Sequence, residues 1–235
     1  MPTRSRARSP GSEHELRARA EALAGGTLGE LAASFGLLAP PDLRRAKGFV
    51  GELMERALGA SAGSRAEPDF PELGVELKTL PVDPSGKPQE STFVCTIAPR
   101  EIGDVEWEAS LVRRKLARVL WVPVEGMRSV PVAQRRIGTA LLWSPSPEDE
   151  AELRFDWEQL AGLIGRGQED AITGHLGKWL QVRPKAAHSR SRRRSFDPEG
   201  SPTLSLPRGF YLRATFTARI LQQHFALGPR RQPPL

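Results

Sequence analysis

One stretch of the sequence, Leu116–Val124, is almost entirely apolar, and it limits the possible folds more than any other feature. It is too short to span a membrane, which takes roughly 18 apolar residues. A strand that is apolar on both faces belongs at the centre of a sheet with other layers packed on each side. We therefore expect a layered domain built around a sheet.

Helix and strand signals lie on both sides of this run. Ser12 and Thr27 each stand three residues before a glutamate, which is the capping box of a helix start. The predicted helices begin near Ser12, Thr27, Lys47, Ser146 and Thr215. The further predicted strands cover residues 74–80, 92–97, 141–143, 179–183 and 210–213. A helical N-terminal region, a mixed central sheet and a C-terminal helical lobe predict an α/β or α+β domain.

The net charge of +6 comes from a few stretches of the chain. Nine of the 34 basic residues lie in three acid-free stretches, and without them the net charge becomes −3. Composition predicts disordered tails at 1–11 and 228–235, and an irregular basic loop at 188–202 inside a single domain at 12–227. Such stretches attract polyanions without specificity. They serve equally well as solubilising segments.

Cysteine usage and the N-terminal residues bear on the cellular compartment. The chain of 235 residues has a single cysteine, Cys95. One cysteine allows no internal disulfide and no cysteine-based zinc site, and it suits a reducing cytoplasm. The first ten residues are arginine-rich with no apolar stretch behind them, so we do not expect a secretory signal. These features predict a cytoplasmic protein without a membrane span.

The strand predicted at 74–80 carries the clearest chemical pattern. Glu76 and Lys78 are two residues apart, so their side chains project from the same face of the strand. Asp69 precedes the strand by a short loop and can lie beside Glu76. Two neighbouring carboxylates repel unless a cation lies between them, and hard oxygen ligands suit Mg²⁺, with the carbonyl of Leu77 as a further ligand. The alternative is a solvated Glu–Lys pair at a strand edge.

The third predicted helix offers another carboxylate. Opposite its apolar stripe lie Gly48, Gly51, Glu55 and Gly59. Glycine costs about 0.5–1 kcal/mol inside a helix relative to alanine. The glycines therefore indicate that backbone or ligand approaches closely around Glu55. Glu55 could then complete a metal site, although it could also be merely exposed.

Two other patterns are weaker. Gly59-Ala60-Ser61-Ala62-Gly63 matches the nucleophile elbow of serine hydrolases, but that motif requires a strand before it and a helix after it. Arg183-Pro184-Lys185 leaves a predicted strand, and Tyr211 lies on the strand that follows the basic loop. Arginine can read guanine with two hydrogen bonds and aromatic rings can contact base edges. An ordinary basic loop explains this composition equally well.

Together these residues resemble the MutH family of DNA mismatch repair endonucleases over nearly the whole chain. The resemblance is carried by the stretches 27–31, 47–48, 58–64, 74–79, 92–95, 119–126, 141–145, 183–187 and 206–212. It implies a fold like that of type II restriction enzymes, with two lobes around a DNA cleft. It also implies Mg²⁺-dependent nicking of the unmethylated strand at hemimethylated GATC sites. MutL would switch on this activity after MutS finds a mismatch.

The resemblance also implies roles for particular residues. Glu55, Asp69 and Glu76 would bind metal, and Lys78 would serve the attacking water. Lys47 and Lys115 would lie near the scissile phosphate. Arg183, Pro184 and Lys185 would read bases, and Tyr211 would lie by the methyl position of adenine.

Other functions stay open at this point. The chain could be a DNA-binding module without chemistry, or a GATC-type restriction endonuclease that cuts both strands. A serine hydrolase using Ser61 is a further alternative. Because the three carboxylates and Lys78 are all present, the sequence favours a strand-nicking endonuclease, and we expect it to act as a monomer.

Overall fold

The structure is a computed structural model, which describes residues 5–44, 46–63, 65–98, 102–185, 193–196 and 202–225. Within these ranges the α-helices are α1 (Glu13–Glu21), α2 (Leu28–Ser34), α3 (Phe49–Leu58), α4 (Leu111–Leu116), α5 (Pro147–Gly165) and α6 (Ala214–Phe225). The strands are β1 (Glu76–Val82), β2 (Thr92–Thr96), β3 (Val119–Glu125), β4 (Leu141–Trp143), β5 (Leu180–Pro184), β6 (Arg193–Phe196), β7 (Pro202–Ser205) and β8 (Arg208–Leu212). The α/β fold class is confirmed.

Two three-stranded sheets organise the chain. In the first, β3 lies between β1, to which it is parallel, and β4, to which it is antiparallel. The predicted mixed sheet is this one. In the second, β8 lies between β2 and β5, and both pairings are antiparallel. Strands β6 and β7 form a separate antiparallel pair.

Strand β3 is apolar from Val119 to Val124, and each of its faces packs on a different hydrophobic core. Leu120 and Val122 lie in an N-terminal core with residues of α1, α2 and α3. Val119 and Trp121 lie in a C-terminal core with residues of α5, α6 and the second sheet. Strands β1 and β3 run between the two cores, and the two lobes around a DNA cleft that the resemblance implies stay a prediction.

Three of the predicted helix starts, at Ser12, Thr27 and Ser146, are confirmed by their caps, whereas α3 begins after Gly48 without a side-chain cap. Thr27 accepts a hydrogen bond from the N–H of Glu30, whose carboxylate accepts the N–H of Thr27 in return. Ser146 caps α5 through the N–H of Asp149. None of the helices in the described ranges combines the length and the apolar character needed to cross a membrane.

Two elements escape the sequence prediction. Helix α4 occupies Leu111–Leu116, so Leu116 ends a helix and does not begin a strand. Its N-cap is Ser110, whose hydroxyl accepts the N–H of Arg113. No acidic residue follows in the first turn, so the sequence lacks the capping-box signal of a helix start. The other element is the β6–β7 pair, which lies partly within the predicted irregular loop at 188–202.

The stretch predicted as a disordered N-terminal tail is described from residue 5 onward. Its backbone reaches α3, where the N–H of Ala7 donates to the carbonyl of Arg56 at 3.1 Å. Residues 1–4, the whole of the predicted tail at 228–235, and the parts of the basic loop at 188–192 and 197–201 lie outside the described residues.

Candidate active site

The first residues of β1 bring together Glu76 and Lys78, which the two-residue period of a strand places on one face. The ammonium of Lys78 donates a hydrogen bond to Oε1 of Glu76 at 2.5 Å. Glu76 is only 1% exposed. A buried carboxylate needs compensating charge or hydrogen bonds, because removal from water costs several kcal/mol per ion. The prediction that the two side chains share a face is therefore confirmed, and the alternative of a solvated pair is wrong.

A second lysine completes the neutralisation of Glu76. Lys115, in the last turn of α4, donates to both carboxylate oxygens of Glu76 at 3.0 and 2.9 Å. Two ammonium groups therefore hold one buried carboxylate. The contact places Lys115 directly in the candidate active site. Residue patterns alone did not identify Lys115, because α4 itself was not predicted.

Asp69 is held against the open edge of β1. Its Oδ2 accepts the N–H of Leu77 at 2.8 Å. The N–H of Glu76 donates to the carbonyl of Arg118, just before β3. The backbone polar groups of successive β1 residues therefore point alternately towards β3 and towards the open edge. The carbonyl of Leu77 therefore points to the same edge as its N–H, towards Asp69. Burial, and then the negative charge of Glu76, raise the pKa of Asp69.

Glu55, in the C-terminal half of α3, lies near Asp69 and Glu76. Burial, and then the negative charge of Asp69, raise its pKa, with a smaller contribution from Glu76. The negative charges of the three carboxylates therefore repel one another. A divalent cation between them would relieve that repulsion.

The glycines around Glu55 differ in what lies beside them. A Cβ added to Gly51 would meet open space, and one added to Gly48 would meet only the flexible side chain of Glu52. Gly59 alone has backbone close to it, from Arg8 of the N-terminal segment. The predicted close approach of backbone is therefore found at Gly59, and the approach of a ligand to Gly48 and Gly51 stays a prediction.

The donor set fits a hard divalent cation in its chemistry. Glu55, Asp69, Glu76 and the Leu77 carbonyl offer only oxygen, which suits Mg²⁺. The three carboxylates also outnumber the two lysine ammonium groups, both of which contact Glu76. Within the described ranges, however, no three acidic, histidine or cysteine side chains stand close enough to form a ready ligand set. The oxygens of Glu76 are held by lysine, so their use as metal ligands requires local rearrangement.

Nucleophilic catalysis by serine or cysteine is not supported by the local structure. Ser61 follows helix α3 and precedes a turn, whereas a nucleophile elbow lies between a strand and a helix. Cys95 is buried in β2, and burial raises the pKa of its thiol to about 12. A thiol with that pKa stays protonated at neutral pH and is a poor nucleophile.

The candidate DNA-reading residues lie together where β5 leaves the second sheet. Arg183, Pro184 and Lys185 are exposed. The guanidinium of Arg183 lies 5.8 Å from the ring centroid of Tyr211 on the neighbouring strand β8. Lys47 is exposed in the turn before α3, so it lies on a different element from this group.

An aromatic pair joins these residues to β2. The ring of Phe93 packs edge-on to Tyr211 with 5.3 Å between centroids, and the ammonium of Lys185 lies 3.3 Å from the centroid of Phe93. A Cβ added to Gly209 would approach a carbon of Phe93 to 2.8 Å. The absence of a side chain at Gly209 therefore makes room for the Phe93 ring.

Lys185 connects this group to the catalytic residues electrostatically. Partial burial, and then the positive charges of Lys78 and Lys115, lower its pKa. The basic side chains of the two groups therefore act on each other. Lys185 therefore lies within electrostatic reach of the two lysines that contact Glu76.

Comparison with known proteins agrees with this arrangement. A family model described as DNA mismatch repair enzyme MutH matches residues 58–156, the segment that contains Asp69, Glu76, Lys78 and Lys115. A DNA mismatch repair protein MutH from Yersinia enterocolitica is 55% identical over 218 residues, which cover 93% of this chain and 96% of that protein. Another protein of that name, from Pectobacterium atrosepticum, is 54% identical over 217 residues, which cover 92% and 94% of the two chains. The chain therefore belongs to the MutH family of DNA mismatch repair enzymes.

Proposed function

We propose that the chain nicks the unmethylated strand of hemimethylated GATC sites in double-stranded DNA, with Mg²⁺ as its metal ion. Its family is one of metal-dependent DNA mismatch repair endonucleases. The observation that carries the proposal is the buried Glu76 carboxylate between Lys78 and Lys115, with Asp69 bound to the adjacent backbone. Membership of the family supports a monomer in the cytoplasm, activated by MutL after MutS has found a mismatch.

The reaction replaces a P–O bond of the DNA backbone with a bond to water. Negative charge builds up on the phosphate oxygens in the transition state, and fixed positive groups stabilise it best. Lys78 can donate a hydrogen bond to the attacking water while Glu76 orients its ammonium. Lys115, and Lys47 from the turn before α3, would face the scissile phosphate. A cation held by Glu55, Asp69, Glu76 and the Leu77 carbonyl supplies further positive charge when bound.

Sequence selectivity is assigned to the β5–β8 group. The nearly neutral charge of the folded body gives little sequence-independent attraction, so base contacts must supply specificity. Arg183 stands at the end of a strand, where the sheet restrains its backbone. Pro184 and Lys185 extend the same edge, and Tyr211 packs beside Arg183. This group would enter the major groove, where a guanine edge offers two acceptors to one arginine.

The experiment that tests the function is a cleavage assay on GATC duplexes in each methylation state. Each strand carries its own label, and every duplex is assayed in Mg²⁺ and in EDTA. We expect cutting of the unmethylated strand alone in hemimethylated DNA, no cutting of fully methylated DNA, and no activity in EDTA. A duplex with one altered base pair is the matched control and should stay uncut.

The same assay separates the rival functions. Binding without cutting in every duplex would identify a DNA-binding module. Cutting of both strands of unmethylated DNA in a single binding event would identify a restriction endonuclease. Cutting in EDTA that is blocked by a serine-directed reagent would identify hydrolysis through Ser61.

Removal of the Arg183 guanidinium should weaken base selection. We expect Arg183→Ala to lose about 1–3 kcal/mol of discrimination at one base pair, roughly 5- to 150-fold in the ratio of kcat/KM values. The measurement compares GATC with duplexes altered at each position, at one salt concentration. Arg166→Ala, which removes an exposed arginine after α5, is the control. A loss of equal size on every sequence would instead assign Arg183 to a phosphate.

Replacement of the Tyr211 ring should alter methyl sensing rather than sequence preference. The N6 methyl of adenine is an apolar bulge in the major groove, and a ring packed there would clash with it. We expect Tyr211→Ser to cut fully methylated GATC while preferring GATC over altered sites. Tyr211→Phe keeps the ring and should still reject methylated DNA. If Tyr211→Ser is active but still rejects fully methylated DNA, methyl sensing lies elsewhere.

A further inference from the structure

The N-terminal segment, residues 5–11, packs against the end of α3 that leads to the active site. Besides the bond from Ala7 to Arg56, Pro10 is buried. Arg19 of α1 donates to the carbonyl of Arg8 and also, at 3.0 Å, to that of Leu58. One side chain therefore ties the segment and the C-terminal end of α3 together.

The fit between this segment and α3 is close. Gly59 ends the helix with a φ of +86°, which glycine adopts far more readily than other residues. A Cβ at this position would lie 2.2 Å from the carbonyl oxygen of Arg8. The backbone of Arg8 therefore fills the space that a side chain at position 59 would need. The N-terminal segment is thus part of the folded structure.

Arg6 reaches from this segment to the turn that follows α3. Its guanidinium donates to the carbonyl of Ala60. The N–H of Ala60 in turn donates to the carbonyl of Glu55 at 2.9 Å, and the N–H of Ser61 donates to the carbonyl of Asp69 at 2.9 Å. A single turn thus links Arg6 to the backbone of two candidate metal ligands.

The charge of Arg6 acts in the same place. Burial and the charge of Asp69 raise the pKa of Glu55, and the positive charge of Arg6 opposes that shift. Lys78 and Lys115 also bring positive charge to the site, but both form ion pairs with Glu76. Arg6 therefore supplies positive charge on the Glu55 side.

We propose that Arg6 is a positioning residue of the active site, which fixes the turn at 59–62 and thereby the placement of Glu55 and Asp69. The proposal rests on the function proposed above for these two carboxylates. A misplacement of about 1 Å in a catalytic group can lower a rate by roughly 100-fold. Arginine suits the task, because its planar fork of donors holds a fixed geometry better than lysine does.

The test compares Arg6→Ala with Arg8→Ala in the full-length chain. Both variants remove one arginine side chain from the same segment, but the contacts of Arg8 to Arg19 and Gly59 are made by its carbonyl. The first measurement is hydrogen exchange of the amides of Ala60, Ser61 and Ala62. We expect exchange at these amides to be about tenfold faster in Arg6→Ala because the turn opens locally, and unchanged in Arg8→Ala.

The second measurement separates kcat from KM on a hemimethylated GATC duplex. We expect Arg6→Ala to lower kcat by about 10- to 100-fold while KM changes by less than about twofold, since positioning affects the reacting geometry and not DNA attraction. Arg6→Lys keeps a donor and the charge, and should recover a large part of kcat. Arg8→Ala should behave as the parent.

The outcomes distinguish this proposal from the function on which it rests. If the turn in Arg6→Ala exchanges at the parent rate, the positioning role is overturned, whatever the activity. Faster exchange in a chain that does not nick DNA at all would overturn the proposed function and leave the link between Arg6 and the turn standing. Equal losses of DNA affinity in both variants, with kcat unchanged, would make the segment a general polyanion contact and overturn the positioning role.

Discussion

Asp69→Asn should abolish nicking and leave DNA binding and the fold nearly intact. The amide keeps an oxygen that can accept the N–H of Leu77, but it lacks the negative charge that attracts a metal ion. We expect turnover to fall by roughly 1,000-fold or more, equivalent to about 4 kcal/mol of lost transition-state stabilisation. The measurement is the single-turnover rate in saturating Mg²⁺, together with the DNA dissociation constant in Ca²⁺.

Glu72→Gln is the matched control for this prediction. Glu72 is an exposed acid in the short helical turn between Asp69 and β1. Its replacement makes the same change of charge a few residues away and should leave the rate unchanged. If Asp69→Asn nicks at the parent rate, Asp69 does not bind the metal ion.

Glu76 is a less informative position for the same test. Its removal would leave the ammonium groups of Lys78 and Lys115 without their partner. Breaking a buried ion pair on one side typically costs about 3–5 kcal/mol. A loss of activity in Glu76→Ala could therefore reflect unfolding, so a thermal melt must accompany any Glu76 variant.

Lys78→Ala should lower turnover strongly without a matching loss of DNA affinity. Lys115 still contacts both oxygens of Glu76, so the buried carboxylate keeps a partner and the fold should hold. An interaction made only in the transition state lowers kcat and kcat/KM together, and we expect a loss of roughly 100- to 1,000-fold. Single-turnover rates and DNA dissociation constants, measured on the same duplex, check this prediction.

Lys87→Ala is the control for general electrostatics, since Lys87 is an exposed lysine in the loop after β1. It should leave both the rate and the affinity at the parent values. If Lys78→Ala weakens DNA binding while turnover at saturating DNA stays unchanged, Lys78 is a phosphate contact and does not serve the attacking water.

Local patterns predicted the part of the candidate site that one strand determines. The two-residue period of a strand places Glu76 and Lys78 on one face wherever that strand lies in the fold. In the same way, a run that is almost entirely apolar predicts a strand between two layers. The cores on either side of β3 confirm this.

The remaining parts of the site depend on contacts between distant residues. Lys115 reaches Glu76 from a helix whose start lacks the usual acidic signal. Arg6 lies in a stretch whose composition predicts disorder. Backbone contacts to α3 hold that stretch in place, and no local sequence pattern predicts them. The sequence places Gly59 on the same helix face as Glu55, but only the fold shows that Gly59 ends α3 and that Arg8 fills the space beside it.

The contact between Asp69 and Leu77 has a consequence for solubility. Strand β1 lies at the edge of its sheet, and an edge with free N–H groups can pair with strands of other molecules. Asp69 occupies the N–H of Leu77, Pro81 has no N–H to offer, and the carbonyl of Pro81 accepts the N–H of Gln89. Asp69 therefore covers one backbone donor of this edge that could otherwise pair with a strand of another molecule. Loss of its carboxylate oxygens in Asp69→Ala would expose a template for aggregation, which the isosteric asparagine keeps covered.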